Sequence, residues 1–394
     1  MKRFVRGLWR VICILVILIS LQVVYLSGAL ENFSFSGVVE QLQHLGNAHQ
    51  GIADGSTVEE EVFTGDPVEP IVGNSMPLLW LREQLSEDMQ EKYDIVMNGI
   101  AAHEEKIVLQ ATDDELELII SCIAIDRPDL FWFDGGGEYT SYLSGRMVYL
   151  PDYTFTTEDI EILQPQVDAV VAEILSGITQ DMDDYQKAIR VYEYLVQYTT
   201  YNLEQIDQSF ISVLLTNEGV CQGYTEAFQY LMGRLGIPCT AEYGIADGES
   251  HSWNIVCLDG NWYQLDVTWG DPANQDTITY TYCFITDEEM FRDHQPETLV
   301  TMPVCTAVDD NYFIREGLQM YGWDFNTYEY LFAKQIDLGN HIISIRFDSD
   351  EAYQQAEAEL IDGGSYEYLI RNYLDQDSIN VRREELHREI TLIV

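Results

Sequence analysis

Cys221 is the residue of this chain that is best placed to act as a nucleophile. It follows Gly219-Val220 and precedes a helical pattern over Gln222–Leu235, which Gly236 closes. A thiol in the first turn of a helix lies beside unpaired backbone N–H groups and the positive end of the helix dipole. That setting lowers the pKa of a thiol and can hold an oxyanion, so Cys221 is a candidate for covalent chemistry on a carbonyl group.

A predicted β-hairpin brings a histidine and an aspartate together. Its strands, Trp253–Leu258 and Asn261–Thr268, are separated by an Asp-Gly pair, which is a strong signal for a two-residue turn. With that turn, His251 and Asp266 are diagonal neighbours on one face of the hairpin, where Cα atoms lie about 7–8 Å apart. The register therefore predicts contact between the imidazole and the carboxylate.

These three residues have the chemistry of the nucleophile, base and orienter of covalent acyl transfer. Cys221 would attack a carbonyl carbon, His251 would take and return protons, and Asp266 would fix the ring tautomer and stabilise the imidazolium. Each residue alone also has a structural explanation, as a buried small side chain, a surface histidine or a capping aspartate. Their combination favours the catalytic interpretation.

The sequence around the three residues resembles a known family. Four blocks carry the resemblance: Gly219–Tyr224, Leu235–Pro238, His251–Asn254 and Trp262–Trp269. They are similar to the core of the transglutaminase-like superfamily, over about 90 residues that end at Pro272, and they keep the family's order of Cys, His and Asp. The resemblance implies an α+β, papain-like core in which the helix bearing the cysteine packs on an antiparallel sheet that carries the histidine and the aspartate.

The resemblance also implies an activity. Such proteins catalyse acyl transfer from glutamine side chains, or amide and peptide hydrolysis, through a thioester, with no cofactor. It therefore implies a cysteine acyltransferase or a cysteine protease or amidase with Cys221, His251 and Asp266 as its catalytic triad. Tyr201 and Asn217 are further candidates for positioning or oxyanion binding, with alternative roles as a core aromatic and a turn residue. A surface scaffold or binding module that keeps the fold without catalysis is the alternative function.

The first 30 residues have the pattern of an export signal. Four cations precede the uncharged, mostly apolar stretch Val11–Leu30: Lys2, Arg3, Arg6 and Arg10. A cleaved signal peptide fits this pattern, and so does an uncleaved anchor, because ~20 apolar residues span a bilayer. In both cases the acidic body lies outside the membrane. We therefore expect an exported protein, either held at the extracellular face by an N-terminal anchor or secreted.

The composition excludes one large class of function. The chain has 20 Lys and Arg against 67 Asp and Glu, which gives a formal net charge of −47. Such a chain does not bind nucleic acid by neutralising phosphates. Outside the membrane it would repel anionic polymers, so we expect a protein or peptide substrate, with cationic, lysine-bearing ones favoured. The sequence leaves the oligomeric state open.

The cysteines and histidines predict neither a disulfide framework nor a metal site. The seven cysteines are scattered, no C-x-x-C occurs, and the odd number leaves at least one thiol free. No Cys/His cluster has the spacing of a structural zinc site, so we expect no metal. His294 has no evident partner in the sequence.

The rest of the chain divides into a linker and three parts. Residues 31–75 are polar and predict a flexible linker, 76–180 a mostly helical N-terminal region, 181–300 the catalytic core, and 301–394 a small α/β module. In the N-terminal region, apolar spacing predicts a helix over 78–96 and a capping box at Thr112 predicts a second one. Gly135–Gly137 predict a turn after an aromatic core segment. In the C-terminal module we expect strands at His341–Phe347 and Glu389–Val394, with helices at about 350–362 and 366–374.

Overall fold

The computed structural model describes residues 78–204, 208–271, 277–374 and 378–394. The predicted signal or anchor at 1–30 and the predicted linker at 31–75 therefore lie outside the described residues. Within the described ranges, no helix is both long enough and apolar enough to cross a membrane. All described residues belong to one compact unit, and the limits that the sequence places between its parts stay predictions.

The N-terminal part begins with three helices: α1 (Trp80–Glu83), α2 (Glu87–Ala101) and α3 (Asp113–Asp126). The single helix expected over 78–96 is wrong, because the side chain of Ser86 accepts a hydrogen bond from the Met89 N–H and starts a new helix there. The predicted capping box at Thr112 is confirmed and begins α3. The apolar spacing thus identified the buried face but not the break between two helices.

A three-stranded antiparallel sheet packs against α2 and α3. Its strand order is β1-β3-β2, with β1 at Ile107–Gln110, β2 at Phe133–Ser141 and β3 at Arg146–Tyr153. The turn expected at Gly135–Gly137 is wrong, because these residues lie within β2, where the register shifts. Gly137 has a φ of 146°, and a Cβ there would meet the carbonyl oxygen of Leu150. The glycines therefore allow an irregular strand to pair closely, which a turn signal does not distinguish from a turn.

Two long helices lead to the core. α4 (Thr157–Ile174) and α5 (Asp184–Tyr198) each begin with a capping box, and a 3₁₀ turn (Leu175–Gly177) follows α4. The short strands β4 (Thr200–Tyr201) and β5 (Glu218–Gly219) pair in parallel, with α6 (Phe210–Thr216) between them in the chain. This pairing places Tyr201 beside Gly219, two residues before Cys221.

The core consists of one helix on a five-stranded antiparallel sheet, so the predicted α+β arrangement is confirmed. The helix, α7 (Cys221–Leu235), packs on β6 and β7 and ends at Gly236, which has a φ of 73°. The strand order is β10-β6-β7-β8-β9. The strands are β6 (Cys239–Ala246), β7 (Glu249–Leu258), β8 (Asn261–Leu265), β9 (Cys283–Ile285) and β10 (His294–Pro296).

The C-terminal part is a mixed sheet with helices, in the order β11-β12-β14-β13. After the short helices α8 (Asp287–Met290) and α9 (Tyr312–Arg315), its strands are β11 (Gln319–Met320), β12 (Ile342–Phe347), β13 (Asn380–Glu384) and β14 (Glu389–Ile393). Its helices are α10 (Phe325–Asp337), α11 (Asp350–Ala356) and α12 (Tyr366–Tyr373). The four elements expected from sequence are present, whereas β11, α10 and β13 had not been predicted.

A buried arginine joins the C-terminal sheet to the core. Arg346 of β12 is 3% exposed and donates a hydrogen bond to the carbonyl oxygen of Thr281, at 2.5 Å. Its guanidinium also lies 3.7 Å from the Glu389 carboxylate and 3.4 Å from that of Glu289. The pair with Glu389 lies within the C-terminal sheet, so the hydrogen bond to Thr281 and the ion pair with Glu289 are the contacts that join the two parts.

Candidate active site

Cys221 is the first residue of α7. Val220 before it is extended and apolar, so its side chain cannot cap the N–H groups of the first turn. The hydroxyl of Tyr201, which lies opposite Gly219 in the β4–β5 pair, is within hydrogen-bonding reach of the Cys221 backbone N–H. The nucleophile predicted from sequence thus lies at a helix N-terminus, where backbone N–H groups and the helix dipole favour an anion.

The thiol of Cys221 differs electrostatically from the other described cysteines. Burial raises the pKa of the Cys221 thiol, but hydrogen bonds from His251, Ser252 and the Gln222 N–H, with the charge of His251, outweigh burial and bring that pKa below its ordinary value. The other five described thiols have raised pKa values because burial dominates: Cys122, Cys239, Cys257, Cys283 and Cys305. All six are free thiols. Among them Cys221 alone has its thiolate stabilised.

His251 joins the thiol to the buried carboxylate. Its Nε2 lies 2.7 Å from Oδ2 of Asp266, so Nδ1 is the ring nitrogen that remains for the sulfur of Cys221. Burial lowers the pKa of His251, but Asp266 and Cys221 outweigh it and raise that pKa to about 10. The predicted contact between His251 and Asp266 is therefore confirmed, and the pair favours an imidazolium beside a thiolate.

Asp266 is held by the turn that follows β8. The hairpin register is confirmed as far as Leu265, which pairs with Asn254, but the strand ends there and not at Thr268 as expected. The chain then turns into a 3₁₀ helix, and the Trp269 N–H donates to Oδ1 of Asp266 at 3.1 Å. Burial raises the pKa of this fully buried carboxyl, but the two neighbouring imidazoles bring it down to about 2.

His294 is a site residue that the sequence did not reveal, and the statement that it has no evident partner is wrong. Its Nε2 lies 3.2 Å from the same Oδ2 of Asp266, and its Nδ1 lies 2.7 Å from Oδ1 of Asp293. The residue comes to the site because β10 pairs with β6, with His294 opposite Ala246. A pairing between strands so distant in sequence leaves no local signal, and no short motif surrounds this histidine.

The two secondary candidates have different places in the structure. Tyr201 lies beside the nucleophile, and its hydroxyl is within hydrogen-bonding reach of the Cys221 N–H. Asn217 adopts a left-handed conformation with a φ of 57° and ends α6, while its carbonyl accepts a hydrogen bond from the Thr200 N–H. Asn217 thus has the turn role that was the alternative for it. Their proposed help in catalysis stays a prediction.

Ser252 is a second residue that sequence reasoning missed. Its hydroxyl is hydrogen bonded to the sulfur of Cys221 and lies 3.1 Å from Oγ1 of Thr225 on α7. Ser252 follows His251 on β7, and the side chains of both residues hydrogen bond to the sulfur of Cys221 at the start of α7. It lies just before the strand predicted from Trp253, whereas the observed strand β7 begins at Glu249 and includes it.

One group of residues has atoms close enough to hold a metal ion. Among the described residues, His251, Asp266 and His294 are the one such set, with ligand atoms within 4.8 Å of one another. Those same atoms are the ones that hydrogen bond to each other. A metal would have to replace both hydrogen bonds and displace the protons on Nε2 of each ring, so the set fits a proton-sharing network better.

A cleft of about 320 Å³ adjoins the nucleophile through Gln222, the residue after Cys221. Its walls include apolar side chains from α1, α3 and the segment after β10, and two acidic residues: Leu81, Ile125, Leu299, Met302, Glu242 and Glu297. Two larger cavities, of about 690 and 530 Å³, are lined by α8, the C-terminal part and their neighbours. The smaller cleft is the one that could bring a substrate to the sulfur.

Residues 169–267 match the transglutaminase-like superfamily. The chain therefore contains a domain of that superfamily. The match includes Cys221, His251 and Asp266 and ends before His294.

The relatives of this domain include peptidases of animals. The kyphoscoliosis peptidase of Homo sapiens is 27% identical over an alignment of 158 residues, which covers 35% of this chain and 24% of that protein. The Mus musculus protein is 26% identical over 159 residues, 36% of this chain and 24% of that protein. The chain thus spans about a quarter of the length of these curated relatives. A solved TGase structure shares 14% identity and a TM-score of 0.27, covering 43% of this chain and 52% of that chain.

Proposed function

We propose that this chain is an exported cysteine enzyme that acts on amide bonds of proteins or peptides through a thioester on Cys221. The observation that carries the proposal is the unique setting of this thiol among the described cysteines. It lies at a helix N-terminus, its pKa is lowered, and it is hydrogen bonded to a histidine that a buried carboxylate holds. A scaffold that only holds a partner would not need all three groups together.

The geometry supports a two-step mechanism. The Cys221 thiolate attacks the carbonyl carbon of the amide, and the negative charge moves to the carbonyl oxygen beside the first turn of α7. The C–N bond then breaks as His251 gives the proton on Nδ1 to the leaving amine, which leaves a thioester. In the second step His251 takes a proton from water or an acceptor amine, the new bond to carbon forms, and the C–S bond breaks to restore the thiolate.

Hydrolysis is the outcome that we propose for the second step. The two curated relatives that match this domain are named peptidases, and water is the acceptor in a peptidase. An amine acceptor would give a transferase by the same steps, so the acceptor has to be identified by product analysis.

The charge of the chain supports a cationic substrate. Glu242 and Glu297 line the cleft beside the nucleophile, between apolar walls that could accept the methylene groups of a lysine side chain. Burial raises the pKa of Glu242 to about 7, so its full charge is present only above that pH. The net charge of −47 adds a long-range attraction for such substrates. A lysine-bearing peptide should lose kcat/KM as salt is added, whereas a neutral peptide of the same length should not; equal salt dependence would contradict a cationic substrate.

Labelling with iodoacetamide tests the nucleophile. At pH 7 Cys221 should react faster than an ordinary thiol, and Cys221→Ala or His251→Ala should abolish the fast phase. Cys257→Ala is the matched control, because Cys257 is also half-buried but has a raised pKa. A fast phase that survives Cys221→Ala, or none in the wild type, would exclude the proposed nucleophile.

Product analysis then tests turnover. Incubation with lysine-bearing peptides, with and without an added primary amine, should give a free carboxylate. An amine-bearing product would instead identify a transferase. A fast Cys221 thiol without any product from a broad peptide library would favour the scaffold.

A further inference from the structure

We propose that His294 and Asp293 are positioning residues that hold the carboxylate of Asp266 next to His251. We propose also that the C-terminal sheet keeps His294 and Asp293 in place through His387. This inference rests on the proposed function, since it concerns the same triad. It adds a second histidine and aspartate to the site, and it gives a role to the C-terminal part of the chain.

The protonation of His294 follows from its neighbours. Both of its ring nitrogens face carboxylate oxygens, at 3.2 Å on Asp266 and 2.7 Å on Asp293. A carboxylate only accepts hydrogen bonds, so both nitrogens have to donate and the ring is an imidazolium. Burial alone lowers the pKa of His294, but its two carboxylate partners outweigh burial and raise it, which agrees with the geometry.

This second positive charge changes the electrostatics of the triad. Oδ2 of Asp266 is shared between His251 and His294, whose ring centroids are 5.6 Å apart. The charge on His294 therefore offsets part of the attraction that Asp266 exerts on the proton of His251. Without it, His251 would hold its proton to a higher pH and return it less readily in the acylation step.

Asp293 connects this pair to the C-terminal sheet. Its Oδ2 accepts a hydrogen bond from the Tyr282 hydroxyl at 2.6 Å and lies 3.5 Å from Nε2 of His387, a contact that is longer than a hydrogen bond. His387 is 2% exposed, lies in the turn between β13 and β14, and packs edge-on against the ring of Tyr282. The carboxyls of Glu384 and Glu389 are further acidic groups beside this cluster. An alternating series of histidines and aspartates thus runs from His251 to His387.

The inference is tested by the pH profile of Cys221 alkylation in three variants. His294→Gln keeps a polar side chain but removes the charge. The apparent pKa of the Cys221 thiol beside His251 should then rise by about 1 unit, and alkylation at a pH below that pKa should slow about tenfold. Asp293→Asn should shift the profile in the same direction, because His294 loses the partner that keeps it charged. His387→Phe keeps the ring against Tyr282 and should give the smallest shift of the three.

The control is His341→Gln, an exposed residue at the start of the same C-terminal sheet. It should leave the profile unchanged. Circular dichroism and the thermal midpoint identify variants that do not fold, and if His294→Gln does not fold, the other two variants decide. Folded variants with the wild-type profile would overturn the inference. A shift in His294→Gln without one in His387→Phe would overturn the role of the C-terminal sheet.

The two proposals can fail separately. Alkylation needs no substrate, so a shifted profile in an enzyme that cleaves no peptide would keep the positioning role and contradict the proposed function. If Cys221 shows no fast alkylation, the ¹⁵N shifts of the histidine rings decide instead. A His294 ring that is neutral at pH 7 would then overturn the inference.

Discussion

No side chain fits between Gly244 and the carbonyl oxygen of Gln295. Gly244 of β6 lies opposite His251 of β7, and β10 approaches Gly244 so closely that a Cβ there would overlap that oxygen. The approach is what brings His294, the residue before Gln295, to the Asp266 carboxylate. Glycine is thus required here by the distance between two strands.

We therefore expect Gly244→Ala to destabilise the protein and to slow alkylation of Cys221. Overpacking of this kind costs about 1–3 kcal/mol, and it would push β10 and His294 away from the site. Urea denaturation measures the first effect and iodoacetamide labelling the second. The control is Gly177→Ala, because a Cβ at Gly177 meets its nearest atom at 4.0 Å. Equal stability of the two variants would contradict the packing argument.

The pH dependence of peptide cleavage follows from the two shifted groups. The thiol of Cys221 has a pKa below its ordinary value, and the imidazole of His251 has one near 10. Activity should rise as pH increases through the thiol pKa and fall as His251 loses its proton near pH 10, because acylation needs that proton. The measurement is kcat/KM from pH 5 to 11. A profile that falls near pH 6.5 would mean that His251 is not paired as described.

Ser252→Ala should reduce the reactivity of Cys221 without unfolding the chain. The hydroxyl of Ser252 lowers the pKa of the thiol by a hydrogen bond, and such bonds to charged groups are worth about 1.5–3 kcal/mol. We expect about a tenfold slower alkylation at pH 7, with the loss recovered at higher pH. Ser344→Ala is a control, since Ser344 is a buried serine on β12 that bonds to Thr391. A loss that persists at high pH would exclude an effect on the thiol pKa.

Tyr201→Phe separates two roles of the tyrosine. Its hydroxyl lies at the Cys221 N–H, where the oxyanion of a tetrahedral intermediate would form. If it assists that oxyanion, the variant should lose about 10²-fold in kcat, the lower range for an oxyanion donor, while thiol alkylation stays unchanged. If it is only a packing residue, kcat should stay near the wild-type value. Steady-state kinetics beside the alkylation rate distinguishes these outcomes.

Chelation tests whether His251, Asp266 and His294 hold a metal. Their nitrogens and oxygens already bond to one another, so EDTA should leave cleavage and alkylation unchanged. Added zinc should inhibit only at concentrations high enough for the metal to displace those hydrogen bonds. Loss of activity with EDTA and its recovery with zinc would show that the network is a metal site.

The sequence could predict the part of the site that depends on local structure. The helix that begins at Cys221 and the two-residue turn at Asp259-Gly260 are decided by neighbouring residues, and the turn sets the register that brings His251 to Asp266. The register ended at Leu265, because the carboxylate of Asp266 caps the turn that follows. Strand propensity did not indicate this end, since β-prone residues continue beyond it.

The part that depends on distant pairing could not be predicted. His294 comes from an edge strand of three residues, whose sequence shows neither alternation nor a turn signal. The glycines of β2 have the composition of a turn, but their partner strand β3 decides their structure. In each case the deciding contact joins residues that no local window contains.

The position of His294 also affects how the protein should be produced for experiments. The superfamily match ends at residue 267, and a gene fragment cut to that limit would omit β9 and β10, and with them the second histidine. A fragment cut after residue 300 would keep His294 but remove His387 and Arg346, and so expose Asp293 and Thr281 to water. An inactive short fragment would therefore say little about the enzyme, and screening for substrates should begin with a chain that extends to residue 394.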